Sequence, residues 1–83
     1  MATLNTYHFG HKNKIYDQVI VDEIMRKLHQ NNIDTVHVMV NTTKKDTIYD
    51  TEIQVCILEQ NDDVSAFVEL AVIESMRRKD NDD

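Results

Sequence analysis

His8 and His11 stand three residues apart, on either side of the chain's only glycine, in the stretch Tyr7-His8-Phe9-Gly10-His11-Lys12-Asn13-Lys14-Ile15-Tyr16. Two imidazoles at that spacing share a side only on a helix, and a glycine between them works against helix. Zinc needs three or four ligands. The nearest further donors are Asp17, His29, His37 and the single cysteine, Cys56. No metal centre is expected, and both imidazoles read as edge-strand or surface groups.

Cys56 is the one candidate nucleophile. A reactive thiolate wants a helix N-terminus or a cation beside it, with some exposure. Cys56 lies instead between Val55 and Ile57 in a strand-like pattern. His37 could face it across a hairpin, and the bland version of that pair is a half-buried thiol beside a half-buried imidazole at a subunit interface. Asp22-Glu23 and Asp62-Asp63 are sequence neighbours, and adjacent residues on a helix do not face each other. There is no nucleophile elbow, P-loop or dinucleotide fingerprint. No catalytic residue and no cofactor is expected, and the chain does not read as an enzyme.

Two binding chemistries compete. The first is acidic. Residues 46–83 carry eleven acids against three basic residues, a net −8, while residues 1–45 are +2. Glu59, Asp62, Asp63, Glu69 and Glu74 would form a face that docks on a basic groove of another protein. The second is the aromatic and basic arm of Tyr7, Phe9, Lys12 and Lys14, extended by Lys44 and Lys45. Aromatics interleaved with lysines grip single-stranded nucleic acid or a nucleotide, but so few charges supply only a small part of the usual phosphate attraction. The acidic balance favours a protein partner. Nucleic acid or nucleotide is the alternative.

These groups have to be held by one small domain, residues 1–79, with an acidic disordered tail at 80–83. Eighty-three residues leave no room for a second domain. Tyr7 and Phe9 suggest a short strand over 3–9, with Leu4 out of phase and Gly10 as the break. Tyr16, Ile20, Ile24 and Leu28 recur every fourth residue and predict a helix over 14–31, capped by Asn13. Asn32 can take the left-handed conformation that ends it, with Ile33 folding back onto Leu28. Residues 35–42 alternate, with Val36, Val38 and Val40 on one face and His37 and Met39 on the other. A turn at 43–46 leads to a second strand over 47–60, where Ile53, Val55 and Ile57 share the valine face and Cys56 and Leu58 share the other. Residues 62–79 predict a helix capped by Asn61 or Asp62 and apolar around more than half its circumference.

The fold class is α+β: a small two-layer (β)αββα sandwich, an antiparallel hairpin carrying two helices on one face. So short a chain buries a modest core, and the face holding His37, Met39, Cys56 and Leu58 is too apolar to stay bare. A homo-oligomer is expected, with those four residues, Val72 and Met76 at its interface. A lone cysteine and the absence of a long apolar run suit a cytoplasmic protein with no membrane partner. The α-β-β-α element order is similar to that of KH and double-stranded-RNA-binding modules, but the GXXG loop and the basic helix end are missing, so no residue carries over. A short acidic chain rich in Asn, Asp, Lys and Ile resembles the accessory proteins of bacteriophage. The expected function is a non-enzymatic regulator or inhibitor that binds and occludes a host protein.

Overall fold

The structure, a computed structural model, describes residues 2–81, the last four through their backbone alone. Strand β1 (Thr3–His11), helix α1 (Asp17–Gln30), strands β2 (Thr35–Lys45) and β3 (Ile48–Ile57) and helix α2 (Val64–Asn81) follow one another along the chain. The sheet has three antiparallel strands in the order β1-β3-β2, so β3 is central and both edges are open. The molecule is a small α+β domain.

β3 sets the layers. Thr51, Ile53, Val55 and Ile57 point to one face and are fully buried. Against them pack Ile20, Ile24 and Leu28 of α1 and Val64, Val68, Ala71 and Val72 of α2, with Tyr7, Phe9, Val38 and Val40 at the margins. Burying one such aliphatic side chain is worth about 1.5–3 kcal/mol, so this cluster dominates the stability of the chain.

The end of α1 follows from two residues. Asn32 adopts φ 60, a conformation asparagine tolerates. The Asn32 N–H then donates to His29 O at 3.1 Å and the Ile33 N–H to Leu28 O at 2.9 Å. This is the paired-bond ending in which the residue after the turn seals the last apolar position. Ile33 is accordingly buried. Ahead of α2 the Asp63 N–H donates to the Asn61 side chain at 2.9 Å, a local turn that leads into the helix.

Several expectations need correction. α1 begins at Asp17, with Tyr16 at the cap position making no side-chain capping bond. Ile15, in place of Tyr16, enters the core, and Tyr16 is 67 % exposed. Gly10 does not break β1, because pairing with Asp50 carries the strand on to His11. A register irregularity between Thr35 and His37 turns Val36 out of the valine face, leaving it 59 % exposed; a bulge reverses side-chain parity locally. β2 runs to Lys45, so the reversal is Asp46-Thr47, with Asp46 at φ 56. At the other end α2 includes residues 80 and 81, where a tail was expected; residues 82 and 83 lie outside the described residues.

Candidate functional site

The sheet face opposite the helices is uncovered. Three cross-strand rows define it from the register: Leu4-Cys56-His37, Thr6-Gln54-Met39 and His8-Glu52-Asn41. His37 and Cys56 are therefore direct neighbours. His37 is exposed and Cys56 half-buried. Leu4 is 61 % exposed and Met39 47 %. Leu58, just past β3, is exposed beyond the same end of the sheet. The face is apolar at the Leu4 end and becomes polar toward His8, whose Nε2 lies 3.7 Å from Glu52 Oε1. Leu4 was the residue out of phase in the sequence pattern. The strand keeps its alternation and simply presents this leucine to solvent.

The residues expected at an oligomer interface divide. His37, Met39, Cys56 and Leu58 belong to this face or its end. Val72 is 1 % exposed in the chain's own core and is unavailable to a partner. Met76 is half-buried against the core. The exposed apolar residues of α2 are Leu70 and Ile73 instead.

The acidic set also divides. Glu59, Asp62, Asp63 and Glu69 are exposed. Glu59 borders a shallow depression of about 170 Å³ between the α1–β2 and β3–α2 connections. Glu74 is committed within the chain: Lys27 Nζ lies 2.9 Å from one carboxylate oxygen and Arg26 Nη2 3.8 Å from the other. The Lys27 hydrogen bond holds the Glu74 carboxyl below its ordinary value, and the charges of Lys27 and Arg26 act in the same direction. Beside it Glu23 is buried at 2 % exposure, held by Arg26 Nη2 at 2.9 and 2.7 Å. These four side chains lock α1 to α2. Sequence reasoning missed Glu23, although its position three residues after Ile20 and beside Ile24 placed it on the buried stripe.

The aromatic and basic arm is taken apart by the fold. Tyr7 and Phe9 face the helices and pack on the core, and burial raises the Tyr7 hydroxyl above its ordinary value. Lys12, Lys14 and Lys45 are exposed, the first two in the loop after β1. Lys14 and Lys44 nevertheless meet. They border a cavity of about 230 Å³ shared with Ile15, Tyr16, Asp17, Thr42 and Tyr49, where the helix-side face of the sheet runs on past the start of α1. Lys14 Nζ stands 5.6 Å from the Tyr16 ring centroid and Lys44 Nζ 5.8 Å from that of Tyr49.

One wall of this cavity is fixed by a hydrogen-bonded chain. His11 is buried and stacks on Tyr49 at 5.8 Å between centroids. Its Nδ1 lies 2.7 Å from the Asn13 carbonyl oxygen, which can only accept, so Nδ1 carries hydrogen. Its Nε2 is 2.6 Å from Thr51 Oγ1. Thr51 Oγ1 is 3.1 Å from Thr42 Oγ1, which donates to Asp17 Oδ1 at 2.6 Å. The four contacts link the imidazole to the Asp17 carboxyl through the two threonine hydroxyls. Sequence reasoning treated His11 as exposed. Its inward parity with Tyr7 and Phe9 was the signal.

Among the described residues no group of three or more His, Cys, Asp and Glu side chains could hold a metal ion, and no helix is long and apolar enough to cross a membrane. Comparison with protein-family models, curated proteins and solved structures finds no match to this chain.

Proposed function

We propose that this chain is a non-enzymatic interaction module that docks on another protein through the open face of its sheet. The observation that carries the reading is the cross-strand row Leu4-Cys56-His37 with Met39 beside it. It is an apolar patch on a three-stranded platform, uncovered by any element among the described residues, and such patches mark contact surfaces. The polar end, with His8, Glu52 and Asn41, supplies the rim that sets orientation. Glu59, Asp62, Asp63 and Glu69 add negative charge on the connection to α2 and along α2 itself, which favours a partner with a basic surface. The partner class is a host protein that the module occludes. Pairing of two copies through the same face is the self-association this surface allows.

The test is capture from nuclease-treated bacterial lysate by the tagged chain and by its Met39→Asp variant. Met39 is exposed, so the variant is expected to unfold at the same temperature as the parent. A near-stoichiometric protein retained by the parent and lost by the variant supports the open face. Equal retention by both places binding elsewhere.

A further inference from the structure

A second surface, independent of the open face, has the chemistry of a small-ligand site. We infer that the cavity between Lys14, Tyr16, Asp17, Thr42, Lys44 and Tyr49 binds a small phosphomonoester carrying a planar ring, the chemical class of a nucleoside monophosphate.

Three observations lead there. The first is charge. Lys14 and Lys44 reach the cavity from different elements, and among the described residues neither is in an ion pair. In a chain of net charge −6, two ammonium groups outside any ion pair border this one concavity, and they favour an anion there. The second is an exposed ring. Tyr16 is 67 % exposed, although the four-residue spacing to Ile20 would put it on the buried stripe of a longer α1. Its carbonyl accepts from the Val19 and Ile20 N–H groups, but its side chain makes no capping bond, so the ring itself does no work for the helix. An exposed ring beside cations is a stacking platform for a planar group. The third is fixed polarity in the lining. Asp17 and Thr42 are held in place by the bonds to Thr51 and His11. A fixed carboxylate repels a second anion and accepts hydrogen bonds, so it suits the N–H or O–H end of the ligand.

The lining therefore offers two unlike kinds of group: lysines for the phosphate, and Asp17 for a donor on the ring or sugar. Its volume of about 230 Å³ is below the roughly 300–1,000 Å³ of drug-sized pockets. A ligand held within it would place there no more than one ring and one anionic group.

The experiment is a titration of the ¹⁵N-labelled chain with AMP and UMP, and with adenosine, ribose 5-phosphate and inorganic phosphate as partial ligands, at low and high salt. At least one nucleotide is expected to shift the amides of Lys14, Tyr16, Asp17, Lys44 and Tyr49, and to bind more tightly than every partial ligand. Lys14→Ala with Lys44→Ala should weaken it on the order of tenfold, as two exposed charge contacts would, and Tyr16→Ala should weaken the nucleotide without affecting phosphate. All three residues are outside the core, and unchanged spectra elsewhere will show that the variants fold. Absence of shifts at these amides overturns the inference. So does equal binding of ribose 5-phosphate or phosphate, which removes the ring, or of adenosine, which removes the anion.

Discussion

Thr51, Ile53, Val55 and Ile57 of β3 lie beneath the helices with no measurable exposure, while Asp50, Glu52, Gln54 and Cys56, each one residue away, line a face that no helix covers. The two faces share a backbone, a register and a pair of flanking strands. They differ only in what stands over them. On the covered face each side chain is constrained by close packing, so its identity is read in stability. On the open face the same strand is free of that constraint. Its side chains can change without harming the fold, and their identity is read in binding.

The largest contrast is predicted for neighbouring residues. Ile53→Ala should cost about 2–5 kcal/mol, as cavity-forming substitutions do, whereas Gln54→Ala should change stability by no more than about 0.5 kcal/mol. Urea denaturation of the two variants measures both, and a similar loss in each would erase the distinction between the faces. Thr51 is the polar member of the covered face. Thr51→Val removes the hydroxyl shared by His11 and Thr42 and should cost about 1–3 kcal/mol, because partners are left buried and unmet.

Asn5 sharpens the comparison from the other direction. It lies on the covered side opposite Val55, and its Nδ2 is buried without a hydrogen-bond partner. Asn5→Leu should stabilise the chain by about 1 kcal/mol, seen as a higher urea midpoint. Destabilisation would mean that the amide has a structural role on that face.

The smallest effect is expected outside both faces, at the α1–α2 ion pairs. The Glu74 carboxyl is held below its ordinary value, so its contribution is present above the ordinary glutamate range. It is lost as the pH falls through the lowered value. Glu74→Gln should lower stability slightly at neutral pH and leave it unchanged at acid pH, which flattens the acid limb of the stability–pH curve. A parallel acid limb would show that the Lys27 contact carries no free energy.

How far the sequence disclosed this arrangement depended on whether a local rule had a competitor. The end of α1 was legible because Asn32 and Ile33 satisfy a local motif that nothing else in the chain opposes. The alternation of Ile53, Val55 and Ile57 was legible for the same reason. Val36 was misplaced because a bulge shifts parity, and a bulge has no signature in a run of valines and threonines. Tyr16 was misplaced because its four-residue spacing to Ile20 is local. The hydrogen bond from Thr42 to Asp17, which ties the first turn of α1 to β2, joins residues 25 apart. The open face was visible as a set of side chains, since alternation alone assigns them, but the His37–Cys56 pairing depends on a register that alternation does not give. The lysine cavity was visible only in pieces. Lys14 and Lys44 were both singled out, but their meeting depends on β2 running on to Lys45 past the expected turn.

The measurement that bears most directly on the open face uses the native cysteine. Cys56 is the only thiol in the chain, and it sits in the central strand between Leu4 and His37. Attaching a bulky maleimide there obstructs the face without altering any other residue. Capture from lysate should be lost after labelling, with the unfolding temperature preserved. Undiminished capture by a fully labelled, folded chain would contradict docking through this face.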